Sequence, residues 1–408
     1  MLRFRTVLIG VVGISLAVFA LSYFIYRYLF KKELNNKKLN VFMLVLVISG
    51  GVLVYSPAKQ YIQIKKRTID HSNVVTYNGR KIKTEANATE RLTLPSVYGS
   101  IEATHPSVVA LDTPLDGYKY WMAVTPYPKG KAIYENPHVF KSNDLVSWIP
   151  NEANPLDEPK SEKFNDNNTP MQYDSDTHIL YNKEANRLEV FWRYVDDINK
   201  KSIIYKRTST DGKTWTPKEI VFDGTKPGED WISPVFIKDE NGYKVWYVAH
   251  GYKIWTRDSL DGKKWSDPVE VKVPYEEENM HHWHLDVQKT DLGYEMIVVG
   301  FKSSGEYKLS DRHVMNLYYS KSSDNKKWDT LKPIIFPSGK RVGFDGKGLY
   351  RSAMLKEGNN YTIFYSGIGY DDTRGVGIST GTDINHLKGL NLSDYEGKIK
   401  LDNKKETN

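Results

Sequence analysis

Ionisable side chains of complementary type recur at the starts of short apolar runs along most of this sequence. His105 leads Pro-Ser-Val-Val, and Asp174 and Asp176 lead Thr-His-Ile-Leu. Asp230 and Ser233 flank Trp231-Ile232, while His281, His282, His284 and Asp286 crowd one stretch and Arg351 leads Ser-Ala-Met-Leu. Paired carboxyl groups suit glycoside hydrolysis, at about 5–5.5 Å apart for retention and about 6.5–9.5 Å for inversion. Imidazoles act as acid or base near neutral pH, or bind metal as the neutral ring. The sequence contains no cysteine, so a thiol nucleophile, a thiolate metal site and disulfides are all excluded.

Side chains alternate along a strand, so Asp174 and Asp176 share a face if that stretch is extended. The same rule puts His282, His284 and Asp286 together. That trio reads three ways: a metal constellation, a His–Asp acid–base pair, or a sugar-binding wall of imidazoles. Asp286 lies between Leu285 and Val287, where a buried carboxylate without a role is costly. Any one of these carboxylates can instead cap a turn or sit in solvent. Arg351 suits a carboxylated sugar through bidentate bonds, or equally a salt bridge to a nearby Asp. Trp283 and Tyr350 beside these runs can stack on sugar rings or fill space between sheets.

The elements that carry these residues are legible in a repeat. A small or hydroxyl residue, Asp, two or three polar residues and Trp recur as Ser142-Asn-Asp144-Leu-Val-Ser-Trp148 and as Ser209-Thr-Asp211-Gly-Lys-Thr-Trp215. They return as Ser259-Leu-Asp261-Gly-Lys-Lys-Trp265 and Ser322-Ser-Asp324-Asn-Lys-Lys-Trp328, and more weakly as Gly381-Thr-Asp383-Ile-Asn-His-Leu387. Asp-Gly or Asp-Asn makes a tight turn whose carboxylate caps local amides, and the Trp packs between neighbouring sheets. Before each turn lie two strand-like runs joined by a polar turn, as in Thr177-His-Ile-Leu-Tyr and Leu188-Glu-Val-Phe-Trp-Arg-Tyr. Five registered copies of two signals predict an all-β fold, a five-bladed β-propeller with one four-stranded sheet per copy.

The repeat, together with His105-Pro-Ser-Val, Gly117-Tyr-Lys-Tyr-Trp-Met-Ala-Val-Thr-Pro-Tyr-Pro128, Glu135-Asn-Pro137, Trp283-His-Leu-Asp286 and Tyr350-Arg-Ser352, resembles the five-bladed propellers of the glycoside hydrolase family 43 type, in the furanosidase and arabinanase superfamily. The likeness covers roughly residues 100–390 and points to a poorly characterised bacterial branch. It implies a site at one mouth of the central channel, fed by the start of each innermost strand. It also implies a blade-one Asp as base, a blade-two Asp as modulator and a blade-three Glu as acid. Here the blade-one position is His105 and the blade-three position falls at Ile232-Ser-Pro234, so that assignment does not transfer. Only blade two keeps carboxylates, at Asp174 and Asp176.

The net charge of +7 suggests nucleic acid until it is divided along the chain. Residues 1–67 hold 11 Lys or Arg and one acid, which leaves the remainder at −3. The basic residues flank two uncharged apolar runs, 6–26 and 39–58, each long enough for a membrane helix. Their connecting loop is rich in Lys and Arg, so the positive-inside rule puts it in the cytoplasm and the propeller outside. The expected organisation is a transmembrane hairpin in 1–58, a stalk over 59–98, the propeller over 99–395 and a polar tail over 396–408. The protein is expected at the surface of a Gram-positive bacterium, with polysaccharide or oligosaccharide as partner and no nucleic acid.

The expected function is a glycoside hydrolase, with His105, Asp174, Asp176, His284 and Asp286 as catalytic candidates. Glu135, Asn136, Asp230, Ser233, Trp283, Tyr350 and Arg351 are the substrate-binding candidates. No cofactor is expected, with His282, His284 and Asp286 as the alternative should a divalent metal bind. The rival reading is a non-catalytic glycan-binding or polysaccharide-assembly module on the same fold.

Overall fold

In the computed structural model the chain divides into two units, residues 1–68 and 69–408. The structure describes residues 74–77, 80–83, 85–224, 229–303, 312 and 314–392, all in the second unit. The apolar runs 6–26 and 39–58 and the tail 396–408 lie outside the described residues. Among the described residues no helix is long and apolar enough to cross a membrane.

Alternating apolar runs separated by tight turns form five four-stranded antiparallel sheets, each running in chain order from the channel outward. Blade one comprises Ala103–Leu115, Tyr118–Pro126, His138–Ser142 and Ile149–Pro150. Blade two comprises Gln172–Asn182, Arg187–Asp196, Lys201–Ser209 and Glu219–Gly224. Blade three comprises Ile232–Asp239, Gly242–Ala249, Lys253–Ser259 and Val269–Val271. Blade four comprises Met280–Thr290, Gly293–Lys302, Met315–Ser322 and Lys332–Ile335. Blade five comprises Gly348–Glu357, Asn360–Ile368, Arg374–Gly381 and Lys388–Gly389. The five first strands touch in a closed ring around the channel, blade five meeting blade one. The all-β, five-bladed expectation therefore holds.

Each sheet is apolar on both faces, so the core lies between blades rather than inside one. Among the described residues the buried side chains form five clusters, one in each gap. Between blades two and three, Phe191 stacks on Phe236 with ring centroids 4.0 Å apart, and Phe222 on Trp231 at the same separation. Each fully buried large apolar side chain of this kind contributes about 1.5–3 kcal/mol relative to exposure.

The repeated turns join third to fourth strands. Asp211 accepts the backbone N–H groups of Lys213 at 2.8 Å and Thr214 at 2.7 Å, and Asp144, Asp261 and Asp324 do the same two and three residues on. The following Trp reaches the preceding blade: Trp215 Nε1 donates to Asn151 and Trp265 Nε1 to the Val221 carbonyl. Trp148 and Trp328 are buried, whereas Trp215 and Trp265 are half-buried. Gly212, at φ +72°, lies under the Trp121 ring, and a Cβ there would come within 2.5 Å of it.

Residues 85–94 close the ring. Leu92 N–H donates to the Val376 carbonyl at 2.7 Å, Thr89 N–H to Leu390, and Gly389 N–H to Glu85. Leu92 and Leu94 are buried in the gap between blades five and one. These residues belong to the propeller rather than to a polar stalk, because their two leucines complete its last seam. A hairpin of Val74–Tyr77 and Arg80–Lys83 precedes them.

Candidate functional site

Every inner strand breaks its pairing register near its start. The breaks fall between Thr104 and Ser107, Ser175 and His178, Ile232 and Val235, His282 and His284, and Tyr350 and Ser352. At the first three, His105, Asp176 and Ser233 each adopt a left-handed φ of 53°. A bulge re-aims a side chain, and a non-glycine residue at positive φ costs about 1–2 kcal/mol, so strain held at three equivalent positions marks a site.

These bulges bring His105, Asp176 and His284 together, all buried. One potential ligand atom from each lies within 4.8 Å of the other two. His105 Nε2 is 3.5 Å and His284 Nδ1 3.6 Å from Asp176 Oδ1. Among the described residues, neither of those nitrogens nor that oxygen has a hydrogen-bond partner, and His284 Nε2 has none either. Behind them the supports are firm. His105 Nδ1 meets Thr125 Oγ1 at 2.6 Å, and an N–H donated there leaves the Nε2 lone pair facing the cluster. Arg193 Nε donates to Asp176 Oδ2 at 2.9 Å, and its Nη1 reaches both oxygens of Asp230 at 3.0 and 3.2 Å.

The electrostatics follow from burial and charge. Burial pushes His105 down to about 3 and His284 well below the ordinary imidazole range, so both rings are neutral. Burial works against ionising Asp176, but the guanidinium groups of Arg193 and then Arg351 outweigh it and hold the carboxyl below its usual range. Two neutral imidazoles and one carboxylate are the protonation states of metal ligands. Two atoms bonded at 2.0–2.2 Å to one tetrahedral cation stand about 3.3–3.6 Å apart, close to the two histidine–Asp176 separations. The unpartnered nitrogens and oxygen fit the donor set of a divalent cation, which His105, Asp176 and His284 would hold.

The other sequence candidates spread around this centre. Glu135 is buried beside it, with Oε2 3.6 Å from His105 Nδ1 and accepting from Ser175 Oγ at 2.7 Å; burial pushes its carboxyl up to about 8. Tyr350 packs against His284 and His105 at centroid distances of 4.4 and 5.1 Å, and Trp283 against His284 at 5.2 Å. Arg351 is buried and donates to the Pro234 carbonyl at 3.0 Å. Ser233 is buried on blade three, its hydroxyl 3.4 Å from the Leu285 carbonyl. Asp230 anchors Arg193, as above, and accepts from Ser202 Oγ. Asn136 donates to the Tyr98 hydroxyl.

Three candidates have other neighbours than simple alternation predicts. Asp174 does not join Asp176: it is buried among Trp192, Asp157 and Lys218, and burial first, then Asp157, pushes its carboxyl well up. Asp286 accepts the Met354 N–H at 2.8 Å and so clasps blade four to blade five; burial pushes it up to about 6. His282 meets the Tyr275 hydroxyl at 3.1 Å and stacks on that ring. The bulge at Trp283 reverses the alternation, so His282 and His284 part company and the metal-like cluster draws on blades one, two and four. Arg193 and Thr125 were absent from the sequence candidates. A charged Arg193 inside the apolar run Leu188–Tyr194 was the available signal for the first.

No known family's sequence profile matches the chain. It is 27% identical over 309 residues to the A type blood N-acetyl-alpha-D-galactosamine deacetylase of Flavonifractor plautii, a match covering 64% of this chain and 39% of that protein. The chain thus spans about two-fifths of the length of that relative. Among solved structures it is similar to an N-acetylgalactosamine deacetylase from F. plautii in complex with blood group B trisaccharide, at TM-score 0.62 and 22% identity, covering 72% of this chain and 94% of that one. It is also similar to a thermostable family-43 glycoside hydrolase, at TM-score 0.50 and 15% identity over 71% of this chain and 92% of that one. The five-bladed propeller therefore has structural neighbours of the family 43 type and a carbohydrate deacetylase among its relatives.

Proposed function

We propose that this propeller is a metal-assisted glycan deacylase, removing an acyl group from an amino sugar of an envelope or extracellular polysaccharide. The observation that carries the reading is the convergence of His105 Nε2, Asp176 Oδ1 and His284, buried and without hydrogen-bond partners among the described residues. The deacetylase relative supplies the acyl-amide chemistry. A glycosidase is the less favoured expectation. Glu135 and Asp176 approach opposite nitrogens of His105, so an imidazole fills the gap where a scissile glycosidic bond would sit.

The net reaction adds water across the amide, giving acetate and a free amine. His105, Asp176 and His284 would hold a divalent cation, and the chemistry it would supply is Lewis acidity toward the acyl carbonyl and water. His105 is oriented by Thr125, and Asp176 by the Arg193–Asp230 chain, so the ligands are set before substrate arrives. Tyr127 and Tyr350 pack around His105, and Trp283 against His284, an aromatic surround that would shield the acyl group from water. The test is acetate release by the full chain in detergent from N-acetylated amino-sugar polymers. Activity should vanish with a chelator and return with a divalent cation. New reducing ends without acetate would overturn the reading in favour of a glycosidase.

The same reading sets the propeller outside the cell, tethered through the apolar runs 6–26 and 39–58. Protease added to intact protoplasts should then release the propeller; full protection would reverse the orientation.

A further inference from the structure

The fifth copy of the turn repeat ends in Leu387 where the others carry Trp. In blades two and three that indole crosses to the preceding blade, bonding at Asn151 and Val221, at or just beyond its fourth strand. Trp148 reaches Phe364 of blade five, and Trp328 is buried among the residues between blades three and four. Leu387 points the same way, into the gap between blades five and four, but with a smaller side chain.

At that gap lies a cleft of about 320 Å³. It runs between the degenerate turn, Thr382–Asn385, and the blade-four residues Tyr319–Lys321, Asp329, Thr330 and Lys332. Its volume is at the lower end of the roughly 300–1,000 Å³ of small-molecule sites. The buried floor is Ile384, Tyr361 and Ser320, and the exposed walls carry Lys321, Lys332, Asp329 and Asp383. Two cations face two anions, so the cleft favours no net charge. Aromatic and aliphatic surface below, with amine, carboxylate, amide and hydroxyl groups around it, suits a neutral polyhydroxylated ring. The repeated turns leave the blades at the end opposite the inner-strand starts, so this cleft is separate from the triad.

We infer that the cleft between blades four and five is a second, non-catalytic sugar-binding site, which holds a polymer while the channel mouth acts elsewhere along it. That the ligand is a sugar rests on the reading above; the cleft does not.

Blocking the cleft tests this. Thr382→Trp fills it from an exposed turn position, and Lys321→Ala with Asp329→Ala removes its wall groups without touching the floor. The probes are soluble N-acetylglucosamine and N-acetylgalactosamine polymers embedded in native gels, and the corresponding short oligosaccharides in solution. Wild type should be retarded by one of the polymers, and each variant at least 5-fold less, with acetate release from the short substrate unchanged. Triad variants should show the reverse, retained by polymer but releasing no acetate. Equal retardation of wild type and Thr382→Trp would overturn the site, as would no retardation of wild type. Retention that depends on the cleft without acetate release from wild type would sink the deacylase reading alone.

Discussion

Replacing Asp176 with asparagine separates the charge of the triad from its shape. Asparagine tolerates left-handed backbone, so the φ of 53° at this position survives. The side-chain carbonyl can still accept from Arg193, whose Nη1 keeps its two contacts with Asp230. The variant should therefore fold, losing about 1–3 kcal/mol from the weakened buried pair. The loss of cation binding should come on top of this, because the one anionic ligand is gone. If wild type is held at 100 times its dissociation constant, bound cation stabilises it by about 2.7 kcal/mol. A 100-fold loss of affinity leaves about 0.4 kcal/mol at the same concentration. Thermal unfolding of the full chain in detergent, with and without zinc, manganese, cobalt or calcium, reads this directly. Wild type should shift upward with at least one ion, and Asp176→Asn should show almost none of that shift. Equal shifts in both proteins, or none in wild type with any ion, would refute the assignment of these three residues as ligands.

Three further outcomes follow from packing and backbone. Trp328→Ala empties a buried site and should cost about 3–5 kcal/mol, while Trp215→Ala, half-buried, should cost less than half of that; denaturant titration ranks them, and equal losses would contradict the burial difference. Gly389→Ala puts a Cβ 2.0 Å from the Asn87 carbonyl oxygen, so the 85–94 segment should loosen and become cleavable by limited proteolysis at concentrations that spare wild type. Ser233→Gly relieves a left-handed non-glycine residue and should raise stability or leave it within about 1 kcal/mol, whereas Ser233→Val should destabilise by more than that; the reverse order in chemical denaturation would mean that the strain argument fails.

The blades were readable because their signals are local. A small or hydroxyl residue, an Asp and a Trp, or Leu in the fifth copy, within seven residues are enough to specify each turn, and five copies in register count the sheets. The site was readable only in part. His105, Asp176 and His284 stand out as ionisable groups leading apolar runs, but their grouping depends on bulges that a two-residue period cannot express. Counting alternate residues joined His282 to His284 and Asp174 to Asp176, and one extra residue in each strand separates them. Two of the bulges did leave a trace. Pro106 and Pro234 lie inside inner strands, where proline's missing N–H is tolerated only at an edge or a bulge. The role of Asp286 was hidden for another reason: its partner is a backbone N–H on the neighbouring blade, and no side-chain pattern announces that.

The seam that closes the ring also sets a timetable for folding. Leu92 meets Val376, and Thr89 meets Leu390, so residues near the start of the propeller await nearly its last. At about 5–20 residues per second, translation leaves roughly 15–60 s between the two. Throughout that interval Leu92 and Leu94 have no seam to enter, and blade one has an open flank where blade five will dock. Four blades can be made and stacked while the fifth is unfinished, yet the disc stays an open stack until its final strands emerge. A nascent chain stalled before residue 376 is thus the form of this protein most exposed to mispairing with another copy of itself.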